Sequence, residues 1–283
     1  MKGKTFKKLK CAPKQSLKVD NKLKKKSCFT NDLLIKLRDK HNTTKKNKIK
    51  TNDGKEIWKK LKKSYKKCKN ELCWIKKLDI KEIMQNEIFR PVSPKTWSDN
   101  PYTWLSSKDI EDVMFQYEKS YPKFKFIGPS PIDYDEKKMF DNCVWEELCK
   151  FDLKKLYDKG KRKIGIIFNL DPHYKSGSHW VAVFIDLEKK YIMYFDSNGD
   201  KVKKRIKKFI DNVIKQAVMI GLNLKFYSNY KFVHQMKDGQ CGLYSLYVII
   251  KLLREELTPK ELKKTRISDK VMENYREIYY NKL

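Results

Sequence analysis

The sequence predicts an α+β fold, with strands flanked by helices and one helix buried at the centre. Three observations carry this. Residues 163–197 hold three β-type runs, KIGIIFNLD, HWVAVFIDLE and KKYIMYFDS. Between 200 and 221, Val202, Ile206, Ile210, Val213, Ile214 and Val218 fall on one face of an amphipathic helix. Cys241 then opens GLYSLYVIIKLL, an apolar segment of helix length rather than strand length.

In chain order, residues 1–26 are polar and Lys-rich and are expected to form a basic, flexible lead-in. A small basic helical module follows over 27–90. Thr30 or Asn31 is placed to cap a helix bearing Leu33, Leu34, Ile35 and Leu37. HNTTKKNKIKTNDG reads as a loop with a turn at Asp53 and Gly54. Ile57, Trp58, Leu61 and Tyr65 recur at helical spacing, and NELCWIKKL adds Cys73, Trp74 and Ile75. The module has few apolar residues for its size.

The core is expected over 91–283. FRPVSPKTWSDNPYTW reads as a linker or strapped loop. A helix follows from Ser107, with Ser106, Ser107 and Asp109 as cap candidates. GPSPIDYD is a loop. Residues 137–158 are expected to be helical, with Phe140, Val144, Trp145, Leu148, Leu153 and Leu156 inward. The second and third β-type runs join through a turn at Glu188–Lys190, NLKFYS is a short strand, and the tail is helical after Pro259.

The formal net charge is +31, and residues 1–70 supply +21 of it, with 25 Lys and one Arg against five acids. Such a segment suits phosphate neutralisation. Only seven of the 66 basic residues are Arg, and base-reading interfaces favour Arg, so the expectation is non-specific DNA contact through residues 1–70. The start is basic but lacks the apolar stretch of a secretory signal. No run is long enough to span a bilayer, so no membrane insertion is expected. Seven cysteines without a signal are expected to be free thiols. The spacing of Cys11, Cys28, Cys68 and Cys73 argues against a zinc site, and no metal is expected.

Four residues carry chemistry. Cys241 begins the apolar helix, where exposed N–H groups favour a thiolate nucleophile. His179 precedes a strand and is the candidate base, with His234 as runner-up. Asp196 ends the next strand; if the two pair as a hairpin, its carboxylate reaches the imidazole and fixes its tautomer. Gln235, six residues before the Cys, is the candidate oxyanion donor beside the Cys241 amide, with Gln240 as competitor. Each group serves one role in nucleophilic catalysis, and none needs a cofactor.

These residues carry a resemblance. His179-Trp180 followed by a strand, Asp196 seventeen residues on, and Gln235-x5-Cys241-Gly242 resemble the ubiquitin-like-protein peptidases, which include the SUMO-specific proteases and the adenovirus maturation protease. TWLSSKDIEDVMFQYE and ISDKVMENYRE are similar to segments of the same family. The resemblance covers roughly 95–283. It implies a papain-like, adenain-like core: a central mixed β-sheet flanked by helices, with the catalytic Cys at the N-terminus of a buried helix. CAPK, SCFTNDLLIKL, IWKKL and CKNELCWI resemble the helical extension of proteases from nucleocytoplasmic large DNA viruses, such as that of African swine fever virus. That implies a cysteine endopeptidase cleaving structural polyproteins after Gly-Gly during virion maturation, in virions and at assembly sites in the host cytoplasm. Gln240 departs from the Asp usual in cellular members. Two glycines before the scissile bond suit a narrow tunnel with aromatic walls, and Trp104 and Trp180 are the candidate walls by position. Isopeptidase action on a host modifier, Yop-type acetyl transfer, and an idle peptidase fold that binds virion DNA are the alternatives.

Overall fold

The Lys-rich N-terminal third closes a core because its lead-in joins it. The computed structural model describes residues 6–80, 85–100, 102–138 and 141–283. The chain divides into two compact units, residues 1–93 with 278–283, and residues 94–277.

The first unit is helical: α1 (Pro13–Lys18), α2 (Asn21–Lys24), α3 (Asn31–Thr44), α4 (Gly54–Ser64), α5 (Leu72–Leu78) and α6 (Gln85–Ile88). Thr30 caps α3 by accepting from Leu33 N, and Asp53 caps α4 by accepting from Glu56 N at 2.8 Å. Leu34, Leu37, Ile57, Leu61 and Trp74 are fully buried, and Leu9, Val19 and Leu23 join the same apolar cluster. The expected flexible lead-in is therefore corrected: from residue 6 on, it is part of this core. Its few apolar residues, dispersed among lysines, show no helical period. They supply the burial that 27–90 alone lacks. Asn281 ties the chain's end to this unit, accepting from Lys10 N and donating to the carbonyls of Lys10 and Arg90. The boundary expected at 90/91 thus gives way to a unit that also takes in the last six residues.

The expectation of free thiols is also corrected. Cys11–Cys28, Cys68–Cys73 and Cys143–Cys149 are disulfides, and Cys241 alone is free. Cys11 and Cys28 are 17 residues apart in sequence, yet their Cα atoms lie 5.3 Å apart. An argument from compartment does not see proximity created by folding.

Glu71 is a buried carboxyl group at the centre of this unit. It accepts from Trp58 Nε1 at 2.8 Å and Cys28 N at 3.0 Å, and burial pushes its pKa up to about 7 against those hydrogen bonds. Glu71→Ala leaves two buried donors unpaired, with an expected loss of about 2–4 kcal/mol in denaturant unfolding. The raised pKa favours the protonated folded state. This contribution to stability is present below about 4.5 and is lost as pH rises through about 7. An Ala variant as stable as wild type would contradict this assignment.

The second unit holds α7 (Ser107–Ser120), β1 (Phe124–Pro131), α8 (Glu146–Cys149), α9 (Leu153–Asp158), β2 (Lys163–Asn169), β3 (Trp180–Asp186), β4 (Tyr191–Phe195), α10 (Lys204–Met219), β5 (Lys225–Ser228) and α11 (Cys241–Leu253). It also holds most of α12 (Asp269–Tyr279). A reciprocal box between Ser106 and Asp109 starts α7. The sheet order is β1-β2-β3-β4-β5; the outer pairs are parallel and the inner pairs antiparallel. Ile206, Phe209, Ile210 and Val213 of α10 cover one face, packing with Ile164, Ile166, Phe168, Val181 and Val183. On the other face α11 packs on β2 and β3. Burial on both faces explains the continuous apolar runs.

Three elements differ from expectation. The tail is not helical throughout after Pro259: a short 3-10 turn, Glu261–Lys263, precedes α12, which begins at Asp269. GPSP belongs to β1, an edge strand, where a proline without N–H is tolerated. Residues 137–158 do not form one helix. Lys137 bridges Cys143, Asp141 takes a left-handed conformation, and Asp152 accepts from Lys155 N to start α9. Local side-chain hydrogen bonds outcompete the helical period. Leu148 and Leu153 are buried as expected, and Phe140 lies outside the described residues.

Candidate active site

The hairpin of β3 and β4 assembles the site. Ala182 pairs with Phe195, so the start of one strand lies beside the end of the other. His179, just before β3, places Nε2 2.7 Å from Asp196 Oδ1, just after β4. Asp196 is fully buried. Its Oδ1 also accepts from Asn198 N at 2.9 Å. The other imidazole nitrogen, Nδ1, is left for Cys241, whose side chain is among the groups that raise the His179 pKa. Cys241 is the first residue of α11 and is itself buried.

Burial alone would push the His179 imidazolium down. Hydrogen bonds to Asp196 and Cys241, with their charges, outweigh it and raise the pKa to about 10. At neutral pH His179 therefore holds the proton. The runner-up base, His234, is fully buried between the carbonyl of Leu262 and the N–H of Ile267, and burial lowers its pKa. It is a neutral packing residue against Phe195 and Phe232.

Gln235 is tied to the same strand end. Its Oε1 accepts from Ser197 Oγ at 2.8 Å and its N–H donates to Ser197 O, while Nε2 donates to Lys237 O within its own loop. Gln240 is buried, and both its amide atoms lack a hydrogen-bond partner among the described residues. Trp104 and Trp180 line one cleft of about 620 Å³, together with Leu105, Trp145, His173 and Gly177. Trp104 is half exposed, whereas Trp180 is buried and donates to Leu105 O at 3.0 Å. Gly239 has φ +85°, and a Cβ there would lie 2.0 Å from Tyr102 O. Only glycine lets the Tyr102–Trp104 segment pass this close to the loop before the nucleophile.

The profile of the Ulp1 protease family, C-terminal catalytic domain, matches residues 111–283. The chain belongs to the Ulp1 protease family. It is similar to a putative thiol protease of Acanthamoeba polyphaga mimivirus, at 37% identity over 153 residues, covering 54% of this chain and 49% of the relative. It is also similar to a SUMO-1 cysteine protease of African swine fever virus, at 26% identity over 187 residues, covering 61% of this chain and 66% of the relative. The chain thus spans about half of the first of these curated relatives and about two thirds of the second. A crystal structure of an African swine fever virus protease matches with a TM-score of 0.66 at 22% identity, covering 85% of this chain and 94% of that one, which shows a shared fold.

Sequence reasoning does not single out Asn229, although this member of the Ulp1 family uses it to set Asp196. Asn229 is fully buried, accepts from Asp196 N at 3.0 Å and donates to Asp196 O at 2.6 Å. The parallel pairing of Tyr194 with Ser228 brings it there, and nothing local in SNYKF signals it. Among the described residues, Asp133, Glu136 and His173 bring three metal-type ligand atoms within 4.8 Å of one another. Glu136 is paired with Arg205 at 2.6 Å and His173 with Asp133 at 2.7 Å, so protein partners already engage these groups. Among the described residues, no helix is long and apolar enough to cross a membrane.

Proposed function

We propose that the chain is a cysteine endopeptidase that cleaves viral structural polyproteins after Gly-Gly during virion maturation. The observation that carries it is the His179–Asp196 hydrogen bond at the end of the hairpin, with Cys241 at the start of a buried helix and among the groups that raise the His179 pKa. Cys241 attacks the scissile carbonyl as the thiolate. The oxyanion takes the Cys241 N–H and the Gln235 amide, which exchanges Lys237 O for it. His179 gives its proton to the leaving amine, and a thioester links substrate to Cys241. Water then attacks with His179 as base, releasing the acid and the thiol. Asp196 holds the imidazole in one tautomer throughout.

The substrate assignment rests on the aromatic lining of the cleft and on relatives that are viral thiol proteases. Action inside assembling particles, in virions and host cytoplasm, accords with the +21 carried by residues 1–70, which supports non-specific DNA contact. A second reading, isopeptidase action on a host modifier, is favoured by the African swine fever virus relative, described as a SUMO-1 cysteine protease. Incubation with the source's structural polyproteins, then sequencing of new N-termini, separates the two. New termini following Gly-Gly are expected. Intact polyproteins alongside a cleaved SUMO conjugate would transfer the assignment to the second reading.

A further inference from the structure

Three polar residues of α12 recur at Asp269, Glu273 and Arg276, a spacing that puts them on one helical face. They hold two segments, the Met236–Lys237 loop before Cys241 and the Tyr102–Trp104 segment. Asp269, buried, accepts from Met236 N at 3.1 Å, the residue next to Gln235. The same carboxylate accepts from Tyr244 Oη at 3.0 Å, on α11 one turn after Cys241. Arg276, also buried, donates to Thr103 O at 2.8 Å, the residue before Trp104, and its guanidinium lies 4.4 Å from the Trp97 ring centroid. Glu273 stands between them, accepting from Tyr102 Oη at 3.2 Å and pairing with Lys237 at 3.6 Å. The two segments meet where Gly239 lies against Tyr102 O and Trp104 Cδ1.

We propose that α12 is the positioning element of the substrate channel: Asp269 sets the Gln235–Lys237 loop against the catalytic helix, and Arg276 sets the Tyr102–Trp104 wall opposite it. This rests on the peptidase reading above and assigns it residues outside the catalytic group. The physical reason for such a device is that both segments are loops. Neither has ladder hydrogen bonds to hold its place, and a misplacement of about 1 Å in a positioning group costs roughly 10²-fold in rate. Asp269 acts on the loop that presents the oxyanion donor, so its loss falls on kcat. Arg276 acts on the wall that admits the substrate, so its loss falls on KM and on discrimination between glycine and larger residues.

The test compares Asp269→Ala, Asp269→Asn, Arg276→Met and Arg276→Lys with wild type in the full chain. Hydrolysis of two peptides, with Gly-Gly or Gly-Ala before the scissile bond, is read beside the rate of Cys241 alkylation by iodoacetamide, which needs the thiol and imidazole but no channel. Alkylation is expected to stay within about twofold of wild type throughout. Asp269→Ala should lower kcat about tenfold, and Asn, which keeps one acceptor oxygen, should recover most of it. Arg276→Met should raise KM for the Gly-Gly peptide about fivefold and shrink the preference over Gly-Ala by a similar factor, with Lys partly restoring both. Hydrolysis unchanged in the Ala and Met variants overturns the proposal. So does alkylation that falls in step with hydrolysis, since that marks a general structural role. If the buried variants do not fold, Glu273→Gln on the more exposed part of the face decides: about a twofold rise in KM supports the proposal, and none overturns it. A wild type that alkylates at Cys241 yet cleaves neither peptide overturns the peptidase reading itself, and the α12 assignment with it.

Discussion

Cys241→Ala is expected to abolish peptide hydrolysis, lowering kcat/KM by at least about 10⁴-fold, while leaving the fold intact. The size of the effect follows from the chemistry. The thiolate is the only covalent acceptor in the scheme, and Cys241 is the only cysteine not already committed to a disulfide. The fold should survive because the side chain is small and Gly242 already lets Leu105 and Trp180 pack tightly against the helix start. Circular dichroism and a melting curve beside the activity assay check both halves. Residual hydrolysis near wild type would mean that another group attacks.

Asp196→Asn is expected to lower kcat about 10²–10⁴-fold and to move the alkaline limb of the pH profile. The sign follows from His179. Its imidazolium gives the proton to the leaving amine, so activity is lost as pH rises through its pKa, about 10 in the wild type. Asp196 is one of the groups that raise that pKa; a neutral amide removes its charge and leaves the imidazole a single, weaker acceptor oxygen. The limb should therefore shift to lower pH. The same coupling stabilises the folded state below about 6.5 and is lost as pH rises through about 10. Both the kcat loss and the limb shift are read from one pH series, and an unmoved limb with unchanged kcat would remove Asp196 from the site.

The hairpin is legible in the sequence because two apolar runs joined by a short turn fix which strand ends meet. Once His179 and Asp196 occupy those ends, their bond follows from register. The buried helix after Cys241 is legible from length and apolarity. What escapes is whatever depends on distant partners. Asn229 means nothing until β5 lies beside β4. Leu9, Val19 and Leu23 look like stray apolar residues in a solvated tail until α3 and α4 offer a surface. The segment 137–158 misleads because its apolar spacing fits a helix, while Asp141, Asn142 and Asp152 prefer local turns and caps. Gln235 is the residue whose role depends most on a loop, and loops are set by side-chain bonds such as those from Ser197 and Asp269 that no spacing rule reveals.

An activated ester of a peptide ending in Gly-Gly acylates a cysteine peptidase faster than the thioester hydrolyses. Mixing it with the full chain, quenching in acid and mapping the adduct by mass spectrometry locates the acyl group. The site described here requires a thioester on Cys241, absent after Cys241→Ala and diminished after His179→Ala. An acyl group on another residue, or turnover that proceeds unchanged in the Cys241→Ala protein, would contradict it.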